Sequence, residues 1–183
     1  DRRRLSAEEI RDSLLVAGGQ LDRNPAEAHP FPPESAWNYT QHVPFSTFFE
    51  TETRSVYQVQ IRNRRHPFLG LFDGADPNAT TAQRQVTTVP SQALYFLNDP
   101  FFHAQAEILA LRILKRPVQE RDQELFWVAL QREPAAADRA FAARFRERYR
   151  LSLTGQPDGE KDRACWSALA RVVLASNEYL FVE

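Results

Sequence analysis

The chain has 183 residues, 43% hydrophobic and 26% charged, with a net charge of -1. These are ordinary globular values for one domain, and they leave no overall field that favours nucleic acid or an anionic membrane. One cysteine, Cys165, excludes an internal disulfide and a thiolate zinc cluster, and no apolar run reaches the roughly 18 residues of a membrane span.

The start, Asp1-Arg-Arg-Arg-Leu-Ser6, lacks the apolar core of a signal peptide, and Arg2-Arg-Arg4 is expected to be solvated. A charged start directly before a helix cap suggests a piece cut from a longer polypeptide. Ser6-Ala-Glu-Glu9 has the spacing of a capping box. Ala7, Ile10, Leu14 and Ala17 then share one helical face, and Gly18-Gly19 supplies the stop. Residues 1–19 are therefore an N-terminal helix.

Residues 20–53 are expected to be extended. Prolines 25, 30, 32, 33 and 44 forbid a long helix or a central strand, yet Phe31, Trp37, Tyr39, Phe45, Phe48 and Phe49 are too many aromatics for a disordered linker. Trp37 and Tyr39 anchor the segment or stack on a ligand. The twelve prolines against six glycines point the same way, to stiff connections.

Residues 54–100 read as a strand–loop–helix motif around which the helices pack. Val56–Ile61 alternates, with Tyr57, Val59 and Ile61 inward and Gln58 and Gln60 outward. Val86–Val89 is a short β-prone partner for it. Pro67 opens a single helical turn, and Asp73–Thr81 is a polar loop. Pro90 opens a helix whose apolar face is Ala93, Leu94 and Leu97. Asp99 caps the next one, with Pro100 at its first position and Phe101, Ala104, Ile108 and Leu111 along its face. Residues 101–183 continue as helices: to about Lys115, then Glu120–Gln131, Ala135–Tyr149 and Lys161–Ser176, with a tail that packs down. The fold class expected is mainly α, with a small β element of one or two short strands and a long Pro/aromatic-rich extended segment.

Several stretches together resemble a known family: Arg54-Ser-Val-Tyr57, Phe72-Asp-x-x-Asp-Pro-Asn78, Thr87-Thr-x-Pro-x-Gln-Ala-Leu94 and Leu97-Asn-Asp99. So do the capped start from Arg4 and the closing run from Trp166 to Leu180. They are similar to the C-terminal planctomycete-specific domain of unknown function, found in large proteins that often also carry a cytochrome-c-like domain. Thr53 stands where the family usually has arginine, and Gln131-Arg-Glu-Pro134 lacks its usual glycine. The resemblance implies an exported bacterial envelope protein, partnered by other domains of the same polypeptide, and no catalytic residues. Membrane insertion and nucleic-acid binding are not expected.

Candidate site residues gather near the polar loop. Asp73, Asp76 and Asn78 place oxygen donors as a loose calcium site would, although Thr81 and Thr87 stand where an EF-hand needs glycine and an acid. The competing reading is a turn in which Asp and Asn bond their own backbone. Pairing of Asp73 or Asp76 with Arg62 or Arg84 would tie the segment together. The same arginines, with Arg54, could instead clamp an anion or a sugar carboxylate. No cofactor other than calcium is suggested. The histidines show no ligand spacing, and Cys165, on an apolar face, reads as an inert thiol. Two functions follow: a non-catalytic interaction or scaffolding module, or a glycan-binding or glycan-processing domain built from Arg54, Arg62, Asp73, Asp76, Asn78 and Arg84 with Trp37 and Tyr39.

Overall fold

The structure, a computed structural model, describes residues 2–25, 31, 33–36, 50–62, 65–80 and 82–182. Trp37, Tyr39 and most of the 20–53 segment lie outside the described residues. The elements run β1 (Arg3–Arg4), α1 (Ala7–Gly18), α2 (Pro67–Leu71), α3 (Pro90–Asn98), α4 (Pro100–Leu114), α5 (Arg121–Leu130), α6 (Ala136–Ser152), α7 (Asp158–Leu174), α8 (Asn177–Leu180) and β2 (Phe181–Val182). Short 3-10 turns lie at Glu34–Ala36, Ser55–Tyr57 and Val118–Glu120. The mainly α class with a small β element is what forms.

The centre is the pair α4 and α7 rather than the 54–100 segment. α1 packs on α4, α6 on α7, and α5 against both. Phe102, Ala106, Leu109, Ala110 and Ile113 of α4 are buried, as are Leu169, Ala170, Val173 and Leu174 of α7. Alanines 106, 110 and 170 let the two backbones approach, while each fully buried leucine contributes about 2 kcal/mol of transfer free energy. The buried stripe of α4 includes Phe102, Gln105 and Leu109. The expected Ala104 and Leu111 face outward.

α1 forms as its residues dictate. The Ser6 hydroxyl accepts from the Glu9 amide, the Glu9 carboxylate accepts from the Ser6 amide at 2.7 Å, and Gly19 closes the helix at φ 74°. Ala7, Ile10, Leu14 and Ala17 are all buried. Pro67 and Pro100 take the first positions of α2 and α4, and Asp99 Oδ1 accepts from the Phe101 and Phe102 amides. The tail packs down as expected, with Tyr179 buried and its hydroxyl 2.9 Å from Ser13 Oγ.

The β element is built from other residues than the alternation suggested. Arg3 pairs with Val182 and Arg4 with Phe181, antiparallel, and the Leu5 amide donates to the Leu180 carbonyl at 2.8 Å. Val56–Ile61 forms no named strand. Ser55–Tyr57 is a 3-10 turn, held because Asp12 Oδ1 accepts from both the Ser55 amide (2.8 Å) and its hydroxyl (2.6 Å). That anchor breaks the expected alternation where the segment begins: Gln58 is buried and Tyr57 exposed, while Gln60 faces outward as expected. Val86–Val89 belongs to no strand among the described residues, and Val86 is 70% exposed.

α3 is rotated from its expected face as well. Leu94 and Leu97 point outward, while Gln92 and Phe96 are buried. An aromatic cluster decides this orientation. Phe96 lies 5.6 Å from Phe72 and 5.0 Å from Phe102, and Tyr95 lies 5.2 Å from Phe68 and 5.4 Å edge-on to Phe72. Aromatic pairs at these separations add to the area they bury, and two leucines on the other face do not compete.

Candidate functional site

Two polar assemblies flank that aromatic cluster. The first is centred on Asp73, at the end of α2. Asp73 has φ 61°, a left-handed conformation that Asp tolerates better than most residues. The Gly74 amide donates to the Leu69 carbonyl at 2.6 Å, and a side chain at Gly74 would meet that carbonyl oxygen at 2.7 Å. This tight turn aims the Asp73 carboxylate at the incoming chain. Oδ2 accepts from Arg4 Nη2 (2.6 Å) and the Thr87 amide (2.8 Å), and Oδ1 accepts from the Thr87 hydroxyl (2.8 Å). Arg4 also donates to the Thr87 carbonyl. Its side chain is 6% exposed, so the expectation of a solvated start fails for Arg4. Burial alone would raise the Asp73 pKa, but these Thr87 and Arg4 donors outweigh it and hold the carboxyl below its ordinary value.

The expected Asp–Arg pairings are therefore exchanged for others. Arg4, far away in sequence, takes Asp73, while Arg84 pairs with Glu8 of α1 at 2.7 Å. Asp76 Oδ1 accepts from the Asn78 amide at 2.8 Å, the self-bonded turn weighed against a calcium loop. Asn78 Nδ2 donates to the Arg62 carbonyl at 2.7 Å. Asp73, Asp76 and Arg84 do line one open cleft of about 400 Å³, together with Arg65 and Gln83. Arg54 and Arg62 line neither this cleft nor the cavity described next, and both are exposed. Among the described residues, no three His, Cys, Asp or Glu side chains are grouped to hold a metal.

The second assembly surrounds a cavity of about 210 Å³ between α1, α2, α3 and the start of α4, walled by Phe68, Leu71 and Phe101. Arg11 enters it from the apolar face of α1. Its guanidinium is 2% exposed and donates to the carbonyls of Thr51 and Thr53 (Nη1 to Thr53, 3.1 Å) and to Ser55 Oγ (3.3 Å). Glu50 lies 3.7 Å away and Asp12 3.8 Å. Burial lowers the Arg11 pKa, and those two carboxylates counter it.

His66 is the N-cap of α2. Its Nδ1 accepts from the Leu69 amide at 3.5 Å, and Nε2 lies 2.9 Å from Glu50 Oε1 and 3.1 Å from Gln58 Nε2. With Nδ1 accepting, the neutral tautomer carries its proton on Nε2 and donates to Glu50. The bond to His66 holds the Glu50 carboxyl below its ordinary value against its own desolvation. Tyr95 is half-buried. Burial raises its phenol pKa, and the charge of Asp99 adds to that. The cavity thus contains a histidine–carboxylate pair, a phenol and a guanidinium, and each is engaged by a neighbouring protein group.

The sequence reading missed Arg4, Arg11, Glu50, His66 and Tyr95 as members of these assemblies. Arg11 had a usable signal. It lies four residues after Ala7 and three before Leu14, so it interrupts an apolar helical stripe, and an arginine there must find partners inside. His66 directly before Pro67 marks a helix start. Nothing local marks Glu50 or Arg4. Cys165 is buried, as expected. Its thiol lies 3.6 Å from the Arg146 carbonyl, and burial raises its pKa, which disfavours the reactive thiolate.

Residues 1–146 match the family model of PSD1, a protein of unknown function (DUF1553). No curated protein and no solved structure matches the chain.

Proposed function

We propose that this chain, which belongs to the PSD1 family of proteins of unknown function (DUF1553), is a non-catalytic interaction or scaffolding module of an exported bacterial multi-domain protein. The observation that carries the reading is the engagement of its polar residues. Asp73 holds Arg4 and Thr87, Arg11 holds three groups of the 51–55 segment, and Glu50 holds His66. A catalytic group must keep an atom available to substrate, and these side chains instead fasten chain segments to the helical body. Apolar side chains, meanwhile, are left outside: Leu94 is 55% exposed and Leu97 67%. Such residues suit a surface that meets other protein.

The partners proposed are other domains of the same polypeptide, a cytochrome-c-like domain among them, and the location is the periplasm or cell envelope. Both rest on the resemblance to the planctomycete domain.

The glycan reading keeps one supporting observation, the open cleft that gathers Asp73, Asp76, Arg65 and Arg84. A thermal-shift screen against calcium, a chelator and a panel of neutral and acidic glycans tests the two against each other. The module reading expects no saturable shift. A calcium or glycan shift abolished by Asp76→Ala would replace it with the cleft reading.

A further inference from the structure

Helix α6 carries five arginines, and its seam with the rest of the fold follows one rule. Arg146 pairs with Asp122 of α5, and Arg150 pairs with Asp158 and with Asp162, one turn further along α7. Elsewhere Arg163 of α7 meets Glu107 of α4, and Arg112 of α4 meets Glu124 of α5 at 3.0 Å. Four helix–helix seams, α5–α6, α6–α7, α4–α7 and α4–α5, are thus closed by arginine on one helix and carboxylate on the other.

The flank of α6 beside that seam has the same parts without a partner among the described residues. Phe141, Phe145 and Tyr149 follow one another at every fourth residue, with ring centroids 6.1 and 6.0 Å apart, the second pair parallel within 6°. Arg144 and Arg148, also four apart, run alongside. Both are exposed, and neither has an ion pair or a hydrogen bond among the described residues. Together with Ser152 these side chains line a shallow groove of about 500 Å³. Phe145 rests partly on the core, while Phe141 is 42% exposed.

We infer that this groove docks an acidic amphipathic helix of another protein segment, its carboxylates spaced four residues apart to meet Arg144 and Arg148 and its apolar face laid on Phe141, Phe145 and Tyr149. The proposal rests on the interaction-module reading and names the chemistry of the partner. Arg144 and Arg148 are four residues apart on α6, so their backbone positions are about 6 Å apart along the axis. A partner helix carrying Glu or Asp at i and i+4 presents charges at the same interval, as Asp158 and Asp162 do for Arg150. Aromatic and arginine side chains are also the residue types that dominate such docking grooves.

The test uses a synthetic 20-residue helical peptide with leucines on one face and glutamates at i, i+4 beside them, titrated into the intact chain by fluorescence anisotropy. The glutamate peptide is expected to bind, and a glutamine version to bind at least about tenfold more weakly, since each carboxylate–guanidinium contact carries charge-assisted bonds. Arg144→Glu with Arg148→Glu is expected to abolish binding of the glutamate peptide and to restore binding of a lysine version. Phe141→Ala weakens both. The result is overturned if the glutamate peptide does not bind. It is also overturned if glutamine and glutamate peptides bind alike, or if the groove instead retains polygalacturonate or single-stranded DNA in an Arg148-dependent way. Loss of peptide binding leaves the calcium and glycan screen unchanged, so failure here is separable from failure of the module reading.

Discussion

Arg11 shows what a single buried charge does in this fold. Its guanidinium supplies the donors for the Thr51 and Thr53 carbonyls and for Ser55, and it lies 5.8 Å from the centre of the Phe101 ring. Removing it leaves those acceptors dry and a carboxylate without its neighbour. Arg11→Ala is expected to lower unfolding free energy by about 3 kcal/mol, read as a lower urea midpoint at an unchanged slope. The acid behaviour follows from the carboxylates. Asp73, Glu50, Asp138 and Glu178 all have folded pKa values below their ordinary ones. Glu9 is pulled from 4.5 to about 2, first by Arg3 and then by the Ser6 amide. A depressed folded pKa gives stability that is complete above the unfolded value and is lost as pH falls through the folded one. Urea titrations should therefore show stability constant near pH 7 and falling from about pH 4.5 toward pH 2. Asp73→Asn should make that fall shallower.

At the scale of elements, α3 is the informative case. Its start and its stop were legible, because Pro90 and the Asn98-Asp99-Pro100 break act locally. Its buried face was not. Leucine spacing pointed to Leu94 and Leu97, whereas the contacts that orient the helix come from Phe68, Phe72 and Phe102 on other elements. The orientation has a simple consequence. Leu94→Lys and Leu97→Lys should change stability by less than about 0.5 kcal/mol each, whereas Phe96→Ala should cost about 3–4 kcal/mol. Melting curves of the three variants separate the two faces. The reverse applies to α1, whose cap and apolar stripe act within one helix and so could be read from the residues. Ser6→Ala removes the acceptor for the Glu9 amide and should cost about 1 kcal/mol. The strand expected at Val56–Ile61 failed for the same reason as the α3 face. Its alternation is real, but Asp12 fixes Ser55 from α1, and no named strand pairs with it among the described residues.

For the molecule as a whole, the chain's two ends meet. β1 and β2 pair residues 3–4 with 181–182, and the next residue contact of Arg4 is Asp73 at the end of α2. Start, end and polar loop are thus fastened at one place, across separations that no local pattern reports. The class of fold and the starts of α1 to α4 could be read in order along the sequence, whereas α7 begins at Asp158, ahead of the expected Lys161, and α8 follows it as a separate turn. The partners within the polar cluster could not be read, because Asp73 found its arginine in a distant segment and Arg84 found Glu8 of α1, while Asp76 turned to Asn78. Asp73 therefore tests the central claim, that the conspicuous polar residues hold this fold together. The measurement is the unfolding free energy of Asp73→Ala by urea denaturation. If Asp73 is structural, its loss strands Arg4 and Thr87 and lowers stability by about 3 kcal/mol. Residues kept for binding or chemistry are commonly neutral or stabilising to replace. Stability unchanged within about 0.5 kcal/mol, or raised, would contradict the account.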